Sequence, residues 1–207
     1  MVVYNNVKVF DKCFMKGAVS KDSVVSVHNF NGVGLPTVFN GVIADYLDVD
    51  CWLVFCHQDF IFNCNLAEKL KGLNINGVYG PIGVRKDGHF YGTITQTNGV
   101  NIGKPIRKAC PVQTLDEMCL IVHSRLLRLG LRFDERFGFH FYGADFCLSA
   151  FQNGFGVYAL PIDCVHKSRN LTGEVASADF QRCKKLFRDK WLGFLPVATT
   201  ACKITEA

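Results

Sequence analysis

The sequence predicts one α/β domain, residues 1–207, built on a mostly parallel central sheet with helices on its faces. Three observations predict it. β-branched or continuous apolar runs alternate with segments of helical spacing through the first half of the chain. The run 51–56 is apolar throughout, as in a strand covered on both faces. No internal repeat, low-complexity tract or linker divides the chain.

The elements follow in order. Residues 1–4 form a short strand closed by Asn5-Asn6, after which Val7, Phe10 and Phe14 recur at helical spacing. Residues 24–27 are a second strand, and 29–36 a loop with Asn31-Gly32 and Gly34 as turn formers. Pro36 suits the first turn of a helix, where its missing N–H costs nothing. Val38, Phe39, Val42, Ile43 and Tyr46 give that helix a buried stripe. After strand 51–56, Asn65 and Glu68 have capping-box spacing and open a short helix. Residues 78–84 read as a fourth strand, and the alternating order implies parallel pairing through right-handed crossovers.

The second half is less regular. Residues 86–108, rich in Gly, Asn and Thr, read as a hairpin or a mobile excursion. Residues 114–122 return to the sheet and carry Asp116-Glu117. A helix over 142–152 stops at Asn153-Gly154. Segments 155–162 and 164–166 are strand-like, and Ser177 caps a last helix with the stripe Phe180, Cys183, Phe187 and Trp191.

Composition narrows the class of function. With 49% hydrophobic and 20% charged residues the chain is not a disordered one. A net charge of +5 is compatible with a phosphorylated ligand or an anionic surface and requires neither. The basic residues between Arg125 and Arg136, and those of 182–190, lack interleaved aromatic platforms, so no nucleic-acid partner is expected. No apolar stretch approaches twenty residues, which leaves at most peripheral membrane association. The ten cysteines lie mostly inside apolar runs, with no Cys-x-x-Cys and no visible signal peptide. Reduced thiols and a cytoplasmic location are the expectation.

Ligands of open parallel sheets bind beyond the carboxyl ends of the strands. Four polar clusters follow strands here: Asn5-Asn6, His28-Asn29, His57-Gln58-Asp59 and His166-Lys167-Ser168. Asp59 leaves a buried strand, so it can hold Mg²⁺ or Mn²⁺ against phosphate oxygens, or merely cap the following turn. His166 can complete such a shell or be a hydrogen-bonded surface residue. Asp145, an acid among aromatic neighbours, suits a general base whose pKa burial has raised, and equally a carboxylate favoured by a helix N-terminus. Asp116 and Glu117 can bind sugar hydroxyls or pair with the nearby arginines.

Several ordered segments resemble family-2-like glycosyltransferases. Tyr4-Asn5-Asn6 is similar to the end of their first strand, and residues 36–43, Pro-Thr-Val-Phe-Asn-Gly-Val-Ile, to their YNxGI helix, which contains Asn40. Phe55-Cys56-His57-Gln58-Asp59 resembles their FxHQD strand end, and Thr114-Leu115-Asp116-Glu117 their TLDE strand. Residues 139–148, with His140, Tyr142 and Asp145, are similar to the fHxYgxDyCL signature, and His166-Lys167-Ser168 to a later HxS. The match runs over essentially the whole chain.

The resemblance implies a Rossmann-like GT-A fold and an inverting transfer of sugar from a nucleoside-diphosphate sugar to a saccharide or glycolipid acceptor. It also implies a divalent metal, Mn²⁺ or Mg²⁺, at Asp59 and His166, and Asp145 as the base. Tyr4, Asn5, Asn6, His28, Asn29, Asn40, His57, Gln58 and Asp59 would line the donor site; Asp116, Glu117, His140 and Tyr142 the acceptor or sugar site. Two segments depart from the pattern. His28 stands where relatives commonly have Asp, and Tyr142-Gly143 where the wider family has Glu-Asp. A domain that binds nucleotide or sugar without reaction is the alternative. A hydrolase using Asp59 and Asp145 as a carboxylate pair is a third possibility.

Overall fold

A computed structural model describes residues 1–167 and 177–206; Ser168, the last residue of the HxS segment, lies outside them. The centre is a seven-stranded sheet in the spatial order Cys110–Pro111, Gly156–Ala159, Gly77–Gly80, Cys119–His123, Trp52–His57, Val2–Tyr4, Ser26–His28. Val2–Tyr4 pairs in parallel with both its neighbours, and Gly156–Ala159 with Gly77–Gly80. Cys119–His123 runs antiparallel to both strands beside it, and Cys110–Pro111 is antiparallel as well.

The sheet is therefore mixed, which corrects the expectation of a mostly parallel one. Its cause lies in the segments 78–84 and 114–122, each of which reads as one strand and is two. Pro81, with no N–H to donate, separates Gly77–Gly80 of the main sheet from Ile82–Val84. Ile82–Val84 joins Thr114–Leu115 and Phe90–Gly92 in a three-stranded antiparallel sheet. The chain then turns at Asp116-Glu117-Met118 and enters the main sheet reversed. Residues 86–108 are built into the structure: Ile94–Gln96 and Asn101–Ile102 make a hairpin that pairs with Cys164–His166, itself paired with Phe60–Phe62.

Alternation along the central strands divides the core between two faces. Val3, Leu53, Phe55, Val78, Leu120 and Val122 point to one face. There they meet the helices Leu35–Asp45, Tyr142–Gln152 and Ala178–Lys190 through Phe39, Ile43, Phe146, Phe180 and Phe187. Val2, Cys56, Tyr79, Cys119 and Ile121 point the other way, onto Phe10 and Phe14 and onto the small sheets through Phe60, Phe62, Ile82 and Ile94.

The helix ends follow their sequence signals. Asn6, Asn65 and Ser177 each accept a backbone N–H of the first turn they cap. Pro36 sits in the first turn of its helix. The helix Tyr142–Gln152 begins differently: Phe141 before it is left-handed, with φ of 66°. Such a conformation in a bulky residue costs on the order of 1–3 kcal/mol, so the surrounding packing must hold it. Phe141 is buried against Phe180 and Phe187, and the helix start is thereby aimed at the turn holding Glu117.

Candidate functional site

The carboxyl ends of Val2–Tyr4 and Trp52–His57, the 116–118 turn, the start of helix Tyr142–Gln152 and the Cys164–His166 strand surround a cavity of about 830 Å³. Tyr4, Asn5, Asn6, Asn29, His57, Gln58, Asp59, Asp116, Glu117, His140 and His166 line it. Most of the residues expected at a site thus converge, although they come from distant parts of the chain.

His57, Asp59 and His166 form its polar centre. One ligand atom from each lies within 4.8 Å of the others, close enough to share a cation. His166 Nε2 is 3.2 Å from Asp59 Oδ1, and the Lys167 N–H donates to the Asp59 carbonyl at 3.0 Å, fixing the two segments together. Burial works against the Asp59 carboxylate, but the His166 hydrogen bond and the two nearby imidazoles hold it below the usual carboxylate range. Burial, then the neighbouring His166, brings the pKa of His57 down to about 4, so its ring is neutral near pH 7.

The tautomer of His57 follows from its partner. Tyr142 Oη lies 2.9 Å from His57 Nε2 and donates to the Glu117 carbonyl at 3.0 Å. A carbonyl only accepts, so the single phenolic hydrogen goes to Glu117 and the phenol oxygen accepts from His57 Nε2–H. Nδ1 of His57 therefore carries the free lone pair, as a metal-ligating imidazole needs. Phe139, 46% exposed and on the cavity wall, stacks on the same ring with centroids 5.5 Å apart.

Other expected donor residues hold the walls in place. Gln58 Oε1 accepts from the N–H groups of Asn5 and Asn6, and its amide donates to Asn5 Oδ1, locking two strand ends together. The Asn29 side chain closes its own loop through both polar groups of the Val33 backbone. His28 stacks on Tyr4 but is not a wall residue, and its Nε2 is buried without a hydrogen-bond partner.

Three more expected site residues are off the wall. Asn40 binds the backbone of Phe133 with both ends of its amide and reaches Glu135, tying helix Leu35–Asp45 to residues 133–135. Tyr142 is fully buried and faces His57, so it positions that ring and offers an acceptor nothing directly. Asp145 is fully buried and lies behind the helix. Its Oδ1 accepts from Trp191 Nε1 at 2.8 Å and pairs with Lys190 Nζ at 2.7 Å. Burial raises its pKa, partly offset by Lys190 and Trp191. Asp145 thus presents no carboxylate to the cavity, and the Asp59–Asp145 pair that a hydrolase would need is not formed.

Asp116 and Glu117 occupy the turn between two strands, where the sequence suggests a position within one strand. Asp116 Oδ1 accepts from the Met118 N–H at 3.0 Å. Glu117 Oε1 accepts from the Gly143 N–H at 3.1 Å. Burial, and then the charge of Asp116, pushes the Glu117 carboxyl well above its ordinary range.

No family model matches the chain. It is 32% identical over 93 residues to a protein of Fuscovulum blasticum described as ATP synthase subunits region ORF 6; the match covers 45% of this chain and 35% of that one. Among solved structures it resembles that of GalNAc-T7 with UDP, GalNAc and Mn²⁺, with a TM-score of 0.53 and 11% identity, over 72% of this chain and 34% of that one. The chain has a GT-A-like α/β fold. In both cases it spans about a third of the other protein's length. Among the described residues, no helix is long and apolar enough to cross a membrane.

Proposed function

We propose that this chain is a family-2-like glycosyltransferase domain that moves a sugar, with inversion, from a nucleoside-diphosphate donor to the hydroxyl of a saccharide or glycolipid. One observation carries the proposal: His57, Asp59 and His166 meet at the wall of the cavity that the strand ends surround. The bound UDP and Mn²⁺ of the GalNAc-T7 structure support it, since the two folds are alike.

The donor set fits a divalent cation. It combines one ionised carboxylate with two imidazoles, and Tyr142 keeps His57 in the tautomer that offers Nδ1. Two nitrogen donors favour Mn²⁺ over Mg²⁺, which prefers oxygen. Such an ion would neutralise charge on the departing diphosphate. Tyr4, Asn5, Asn6 and Asn29 would flank the nucleotide, held by Gln58. Phe139 offers an exposed aromatic face for a sugar ring. A cytoplasmic protein with no nucleic-acid partner and at most peripheral membrane contact completes the reading.

A second reading, nucleotide binding without transfer, is favoured by the burial of Asp145 away from the cavity. Calorimetric titration with UDP, GDP and dTDP, with and without Mn²⁺, tests the donor site. At least one should bind in a Mn²⁺-dependent way; binding of none sinks both readings. Release of nucleotide from the matching sugar donor then separates transferase from binding domain.

A further inference from the structure

Resting on the transferase reading above, we propose that Glu117 is the general base of the reaction and that Gly143 is the residue that makes room for it. Among the described residues, Asp59, Asp116, Glu117 and Asp179 are the carboxylates on the cavity wall. Asp59 is bound to His166. Asp116 likewise accepts a neutral backbone N–H, that of Met118, but within its own turn. Asp179 pairs with Arg182 at 2.7 Å. Glu117 is held by neutral backbone donors of the helix start, Gly143 among them, and makes no ion pair among the described residues. A carboxylate has about four acceptor positions, so this anchoring leaves lone pairs for a substrate hydroxyl.

The glycine is matched to the glutamate. A Cβ at position 143 would lie 2.8 Å from Glu117 Cγ and 3.2 Å from its Cα, so any side chain there would push Glu117 out. The helix start thus carries a carboxylate supplied by another segment in the space its own side chain would fill. Burial and the charge of Asp116 make this carboxylate a stronger base than an exposed one. Asp145, two residues further along the helix, is turned into the core toward Lys190.

In the step itself, the acceptor oxygen bonds to the anomeric carbon as the bond from that carbon to the diphosphate oxygen breaks. The electron pair of the broken bond leaves on the diphosphate. The hydroxyl proton passes to the Glu117 carboxylate and is later lost to water.

The test uses UDP-, GDP- and dTDP-hexoses in Mn²⁺ with water as the acceptor, reading nucleotide release alongside calorimetric binding of the nucleoside diphosphate. Glu117→Gln keeps a carbonyl acceptor for the Gly143 N–H, so it should fold and bind within about twofold of the wild type, yet release nucleotide ~10²–10⁴-fold more slowly. The wild-type rate should fall on the acid side as Glu117 is protonated, and Glu117→Gln should lose that limb. Gly143→Ala, which displaces the carboxylate, should slow release with binding retained. Wild-type rates in Glu117→Gln would overturn the proposal, whereas a wild type that binds nucleotide and releases none fails the transferase reading instead. A wild type that binds no nucleotide fails the transferase reading itself.

Discussion

Asp59 and Asp145 both sit among aromatic residues close to a helix or strand end, yet their surroundings have little in common. Asp59 opens onto a cavity beside two histidines, with its carboxylate ionised and near a second and third ligand atom. Asp145 is sealed between Lys190 and Trp191, and Lys190 continues to Asp134 at 2.8 Å, which also pairs with Arg136. The difference comes from residues far off in the chain: His166 in one case, the last turn of helix Ala178–Lys190 in the other. An acid's role is decided by what the fold brings to it. One of these acids faces a cavity, and the other holds a helix in place.

If that contrast is right, Asp145→Ala should have the largest effect, and on stability alone. Removing Asp145 leaves the buried Trp191 N–H without an acceptor and Lys190 with Asp134 alone, at a cost of about 3 kcal/mol. Urea unfolding should show that loss, with nucleotide binding by the folded fraction unchanged. Asp59→Ala should do the reverse. Its Mn²⁺-dependent nucleotide affinity should drop at least ~100-fold, or about 2.8 kcal/mol, with the unfolding midpoint nearly unmoved. A large stability loss without a binding defect would break the comparison.

Tyr142→Phe sharpens it, since it removes the hydroxyl that orients His57 and touches no ligand atom. Mn²⁺ affinity should fall about tenfold, the low end of what lost outer-shell partners cost. The smallest effect is in acid. Arg136, with Lys190, holds the Asp134 carboxyl well below its ordinary range, against the opposing effect of burial. A depressed folded pKa gives stability that is present above the unfolded value, about 3.9, and is lost as pH falls through the folded one. Unfolding followed from pH 7 to pH 2 should show that decline, and Asp134→Asn should flatten it by about 1 kcal/mol.

Much of the architecture was legible. Caps at Asn6, Asn65 and Ser177, the helix opened by Pro36 and the buried Trp52–His57 strand all follow from local chemistry. The polar clusters after strands led to the cavity because topology places strand ends together. What was not legible is reversal and direction. Nothing local to 114–122 shows that the chain turns at Asp116 and enters the sheet antiparallel. Nor does helical spacing alone show that Asp145 faces Lys190, because the facing helix lies more than thirty residues away. Gly143 was visible as a departure from the family pattern, but its meaning needed the position of Glu117. Phe139 and the Tyr142–His57 contact were missed for the same reason, since both depend on a partner more than eighty residues distant.

The central claim is that His57, Asp59 and His166 hold a divalent cation. Pulsed electron paramagnetic resonance of Mn²⁺ added with UDP tests it most directly, through the nuclear modulation of coordinated nitrogen. Histidine ¹⁴N modulation should be present in the wild type and in Asp145→Asn, weakened in His166→Ala, and lost together with the bound ion in Asp59→Ala. Mn²⁺ bound without nitrogen modulation, or a spectrum unchanged in Asp59→Ala, would contradict the account.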